Sequence, residues 1–127
     1  MNAGAVDFPY GSLTPEQLAS AFAALPADIT IVDADNVVRY YSEYRIFSRT
    51  PACLDQDVLE CHSPATRPGI ARLLAELRDG WREEAVFLES KDGRPVSVAY
   101  RAIRDSDGGY LGMMEIAQWA DAQAAEG

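Results

Sequence analysis

Apolar positions along this chain recur first at a helical spacing and, in the last third, by strict alternation. "TPEQLASAFAAL" places Leu18, Ala21, Phe22 and Leu25 at i, i+3, i+4 and i+7, one face of a helix. Its start is punctuated by Thr14 as N-cap, Pro15 at the first helical position and Gln17 completing a capping box, and Pro26 ends it. Two β-rich runs follow, Ile29 to Val32 and Val37 to Tyr41, separated by the turn formers "DADN", which predicts a hairpin. From Glu43 to Ser63 the periodicity is poor and prolines intrude, so short helical turns and loops are expected. A second helix is predicted from about Thr66, with Ile70, Leu73, Leu74 and Leu77 on one face and Gly80 as its stop.

The last third reads as a meander of three strands: "EEAVFLES", "PVSVAYRAIR" and "YLGMMEIAQW", joined by the turns "KDGR" and "DSDGG". In the middle strand Val96, Val98, Tyr100 and Ala102 alternate with Ser97, Ala99, Arg101 and Ile103. In the last, Leu111, Met113 and Glu115 face one way and Gly112, Met114 and Ile116 the other. Five strands with a half-apolar face need a cover, so the central helices are expected to lie across one face, with a cavity beneath them. The organisation predicted is a flexible stretch over 1–13, an amphipathic helix over 14–25, a folded domain over 26–119 and a flexible tail over 120–127.

Composition narrows the function classes. At 127 residues, 48% hydrophobic and 24% charged, the chain fits one globular domain. A net charge of −9 disfavours phosphate backbones and anionic lipid surfaces, so neither nucleic acid nor membrane is an expected partner. No apolar run is long enough to span a bilayer, and "MNAGAVDFPYGSL" lacks the basic flank and apolar core of a secretory signal, which predicts a cytoplasmic protein. Cys53 and Cys61 are too few for a disulfide framework, and a reducing compartment would keep them as thiols. With one histidine, no GxSxG and no phosphate-cradling glycine loop, an enzyme is not expected.

The stretch "DGRPVSVAYRAIRDSDGGYLGMMEI", Asp92 to Ile116, taken with the order of elements, is similar to the last strands of a PAS domain. "LPADITIVDADNVVRYYSE", "RIFSRTPA" and "CHSP" further resemble the PAS-like domain of bacterial proteins that also carry hemerythrin-like segments; that group usually reads CHPP where Ser63 stands here. The resemblance implies an α+β fold, with a five-stranded antiparallel sheet in order 2-1-5-4-3, helices on one face and a flanking N-terminal helix. It also implies a sensory module that binds a small molecule or cofactor, dimerises, and passes its signal to a separate protein.

Candidate sites follow from that implication. Haem-binding PAS proteins use a histidine facing the sheet, which makes His62 a candidate haem and metal ligand. Ile31, Val98, Met114 and Ile116 would line the porphyrin pocket, and Arg49, Arg67 or Arg101 would meet its propionates. A lone histidine is equally accounted for by a bond to a backbone carbonyl that pins a loop. Cys61 is an alternative ligand or a redox-sensing thiol, or else an inert core thiol. Arg45, Arg49 and Thr50 would suit an acidic metabolite, or Arg49 would pair with Glu43 and tie the loop. Tyr40, Tyr41 and Tyr44 supply phenols for core or cavity. A photoactive flavin adduct is not expected, for want of its cysteine motif. The small residues Ala99, Ala102, Gly112 and Ala117 lean towards a cavity. Leu18, Phe22 and Leu25 are the expected homodimer contact; a ligand-free interaction module is the alternative function.

Overall fold

The computed structural model describes residues 4–48 and 50–121. Its elements, in chain order, are β1 (Val6–Asp7), β2 (Ser12–Leu13), α1 (Pro15–Ala24), β3 (Asp28–Asp33), β4 (Val38–Tyr41), α2 (Arg67–Arg78), β5 (Glu84–Lys91), β6 (Arg94–Arg104) and β7 (Tyr110–Trp119). Two single 3₁₀ turns, Pro51–Cys53 and Val58–Cys61, fill the irregular stretch before α2. The capping box at Thr14 forms in both directions: Gln17 N–H donates to Thr14 Oγ1 at 3.0 Å, and Thr14 N–H to Gln17 Oε1 at 2.9 Å. Pro68 is accommodated because it falls in the first turn of α2, where no intrahelical N–H bond is lost.

Five strands form one antiparallel sheet in the order β4-β3-β7-β6-β5, which is the 2-1-5-4-3 order expected when the five are numbered along the chain. The β5–β6 turn places Asp92 and Gly93 both at positive φ, the backbone that a two-residue Asp-Gly hairpin needs. The register pairs Thr30 with Glu115, Val32 with Met113 and Tyr100 with Glu115, so these residues share one face. The 3₁₀ turns and α2 cover that face. Val32, Val38, Val58, Leu74, Leu77 and Met113 form its main core, and Ile46, Val96, Val98 and Ala117 a second cluster.

Gly112 is required by the β3–β7 contact. Its φ is +150°, and a Cβ there would lie 2.0 Å from the Val32 carbonyl oxygen. The small residues thus serve packing instead of a cavity: Gly112 lets strands approach, Ala117 sits in the second cluster, Ala102 packs against the main core, and Ala99 faces away from the helices.

Both chain ends carry local structure within their described residues. Residues 6–13, read as flexible, close a small hairpin in which Phe8 N–H donates to Gly11 O at 2.8 Å. At the other end Asp121 is held by Arg94, whose guanidinium also stacks 3.8 Å from the Trp119 ring centre. The rest of the expected tail, 122–127, lies outside the described residues.

Candidate functional site

The site is built by one short-range anchor and one sheet register. Asp28, at the start of β3, is 1% exposed. Its Oδ2 accepts from the backbone N–H of Ile46 and Phe47 at 3.0 and 2.9 Å, and its Oδ1 pairs with Arg45 Nη2 at 2.8 Å. This anchor fixes the start of the "RIFSRTPA" segment against the sheet, and Arg45 is committed to it. Thr50 lies further along, on the wall of a cavity, while Arg49 lies outside the described residues.

That cavity, of about 100 Å³, lies between the 3₁₀ turns, the start of α2 and the sheet. Val32, Val38, Val58, Ile70 and Met113 form its apolar surface; Thr30, Tyr41, Ser48, Thr50, His62, Tyr100 and Glu115 bring polar groups to it. Thr30, Glu115 and Tyr100 are register partners across β3, β7 and β6, so they form a polar row on an otherwise apolar face. Thr30 is 5% exposed, and its hydroxyl oxygen has no hydrogen-bond partner among the described residues. An unmet buried hydroxyl costs about 1–3 kcal/mol, so its place on a cavity wall calls for explanation.

His62 lies on the cavity wall. Its Nδ1 is 2.9 Å from Val58 O. A carbonyl only accepts, so Nδ1 carries the hydrogen, and in the neutral ring Nε2 is left as the acceptor. The imidazole therefore pins its loop and keeps one nitrogen for other use. Arg67 Nε donates to His62 O at 3.0 Å, holding the backbone of the same residue instead of facing the cavity.

The other proposed pocket residues separate by face. Ile31, Met114 and Ile116 are out of phase with Thr30, Met113 and Glu115 and lie on the face away from the helices. Val98 is on the helix face but packs in the second cluster with Ile46, Val96 and Ala117. Arg101 pairs with Glu84 on the outer face. Tyr41 reaches the cavity, Tyr40 meets the Phe22 ring at 5.8 Å on the other side, and Tyr44 accepts from Trp119 Nε1 at 3.1 Å.

The cysteines require a correction. Cys53 and Cys61, expected as thiols, form a disulfide with Cα atoms 6.0 Å apart, within the usual bonding range. Backbone bonds to β4 bring the two turns together: Asp55 N–H donates to Val38 O at 2.8 Å, and Val38 N–H to Gln56 O at 2.9 Å. A disulfide sulfur is not a thiolate, so in this form Cys61 is no metal ligand. Both cysteines line the cavity.

Volume tests the haem expectation. Pockets for drug-sized ligands run from roughly 300 Å³ upward, and a cavity of ~150 Å³ takes a single benzene. The porphyrin does not fit a space of about 100 Å³, and the arginines named for its propionates are bonded elsewhere or undescribed. No group of three or more metal-ligating side chains occurs among the described residues.

Glu115 and Thr30 were not singled out from the sequence. The signal existed: each is a polar residue in phase with apolar core positions, Glu115 with Met113 and Ala117, Thr30 with Val32.

Comparison with known proteins places this architecture. The family profile described as PAS domain matches residues 18–118. A crystal structure of a C-terminal domain from Streptococcus mutans shares 28% identity over 97% of each chain, with a TM-score of 0.89. A sensory box sensor histidine kinase from Vibrio cholerae shares 15% identity over 79% of this chain and 86% of that one, TM-score 0.56. The Vibrio cholerae VqmA–ligand–DNA complex shares 23% over 84% and 51%, TM-score 0.60. No curated protein matches the chain. The chain belongs to the PAS domain family. No helix among its described residues is long and apolar enough to cross a membrane.

Proposed function

We propose that this PAS domain senses a small, partly apolar molecule bearing an N–H or O–H group, held between the sheet and the 3₁₀ turns. The observation that carries the reading is the Thr30 hydroxyl, buried on the cavity wall without a partner among the described residues. A ligand donor or acceptor would satisfy it, and the apolar surface from Val32 to Met113 would bury the rest. His62 Nε2 offers a second acceptor. The volume favours ligands smaller than benzene over haem. VqmA, of similar fold, was solved in a complex with a ligand and DNA. The "RIFSRTPA" and "CHSP" motifs, which suggest kinship with hemerythrin-associated PAS domains, supply cavity residues Ser48, Thr50, Cys61 and His62.

The test is a thermal-shift panel of compounds with at most about five non-hydrogen atoms, each carrying an N–H or O–H. The reading expects a saturable rise in Tm with some of them, lost in Thr30→Val. If none raises Tm, the ligand-free interaction module is the better account.

A homodimer is supported by a separate observation. No residue of α1 is fully buried, Leu25 is 42% exposed, and Val86 and Leu88 on the outer sheet face are 56% and 74% exposed. Such apolar surface is consistent with a second copy and with a downstream protein partner. Light scattering of a chain lacking residues 1–25 tests the helix: loss of the dimer is expected, and an unchanged dimer excludes Leu18, Phe22 and Leu25 as its basis.

A further inference from the structure

We propose that the Cys53–Cys61 disulfide is a reversible redox-modification site that latches one wall of the cavity. Reduction would free the Pro51–Cys53 turn while the wall carrying His62 stays in place. The proposal rests on the reading of this cavity as a ligand site.

Three observations carry it. Both cysteines line the cavity and are half-buried, so their bond joins two parts of its wall and lies within reach of a thiol. The two sides of the bond are held unequally. On the Cys61 side, Val58 N–H donates to Asn36 O at 2.8 Å, His62 Nδ1 to Val58 O at 2.9 Å and Arg67 Nε to His62 O at 3.0 Å. On the other side, the backbone bonds of the Pro51–Cys53 turn itself, among the described residues, run to its own neighbours: Cys53 N–H to Thr50 O, Leu54 N–H to Pro51 O and Gln56 N–H to Cys53 O. Its tie to the sheet begins only beyond it, where Asp55 N–H donates to Val38 O at 2.8 Å and Val38 N–H to Gln56 O at 2.9 Å. Finally, Cys61 Sγ lies 3.7 Å from Asp57 O, so an acceptor is already in place for the thiol that reduction would create.

The chemistry is a two-electron exchange with a dithiol reductant. A reductant thiolate attacks one sulfur of the bond; a mixed disulfide forms and the other sulfur leaves as a thiolate, which takes a proton from water. The second reductant thiol gives up its proton and displaces the remaining protein sulfur, which is protonated in turn. Two protein thiols and one oxidised reductant result. With the tie gone, the Pro51–Cys53 turn moves out and the space beside Thr30 and His62 accepts a larger guest.

The experiment compares the oxidised domain with the same protein in dithiothreitol, by amide hydrogen exchange and by titration with phenol as a benzene-sized probe bearing a donor. Cys53→Ser, which cannot form the bond, serves as the second variant. Reduction should speed exchange at Cys53, Leu54 and Gln56 at least tenfold more than at Val38, Asp55 and Val58; Cys53→Ser should match the reduced form without reductant. Phenol should bind the reduced form at least tenfold more tightly. Unchanged exchange at the turn overturns the latch, and so does loss of protection throughout, which would make the bond a general staple. Faster exchange at the turn with phenol bound in neither state supports the latch and counts instead against the ligand reading.

Discussion

Asp28 and Arg45 form a 2.8 Å ion pair in which the carboxylate side chain is 1% exposed and the guanidinium 20%. Removing the cation leaves a buried charge that only two N–H groups serve, which typically costs about 3–5 kcal/mol. Arg45→Met should therefore lower the urea midpoint sharply. Asp28→Asn should cost less, because its amide oxygen still accepts from Ile46 and Phe47.

Gly112 and Gly69 should respond oppositely to alanine. At Gly112 the new methyl meets the Val32 carbonyl at 2.0 Å in a strained backbone, so Gly112→Ala should destabilise by about 2–4 kcal/mol. At Gly69, within α2, a Cβ meets nothing within 4 Å, so Gly69→Ala should stabilise by up to about 1 kcal/mol. Thermal unfolding of both variants reads the two signs.

Asp33 ties the β3–β4 turn. Partial burial pushes its carboxyl up, but the Arg39 side chain and the Val37 and Asp35 N–H groups together hold it below the ordinary carboxylate range. A lowered folded pKa contributes stability that is present above the unfolded pKa of about 3.9 and is lost as pH falls through the folded value. Asp33→Asn should flatten the acid side of the stability–pH curve below about pH 5. An unchanged acid limb would show that the turn contributes no such linkage.

The oxidised domain should not take up haem through its histidine. Titration with haemin should produce no Soret band that His62→Ala removes. A histidine-dependent band would require the cavity to open far beyond its present volume.

Breaking the disulfide should weaken the domain without unfolding it. Closing a loop this short contributes about 2–3 kcal/mol on the chain-entropy estimate, against about 5–15 kcal/mol for a domain. Cys53→Ser should lower the unfolding free energy extrapolated from denaturant by that amount and keep the far-UV circular dichroism of the sheet.

The strands and helices were legible because local chemistry agreed with periodicity: Thr14 with Gln17, the Asp92–Gly93 turn, and the Ile70–Leu77 stripe. Which sheet face carries the cavity was not. In β7 both phases are largely apolar, so Met114 and Ile116 looked as suitable as Met113, and Glu115, in phase with Leu111 and Met113, carries no mark of which way that phase faces. Only the pairing with Thr30 and Tyr100 shows that it faces the helices. The disulfide was likewise hidden, since eight residues of separation say nothing until β4 draws the two turns together.

The most direct measurement is a high-resolution crystal structure of the domain grown with the best-binding small polar compound from the thermal-shift panel. The account predicts density for that compound beneath the 3₁₀ turns, hydrogen-bonded to Thr30 Oγ1. A cavity closed by repacked side chains, or the compound bound elsewhere with Thr30 still unmet, would contradict it.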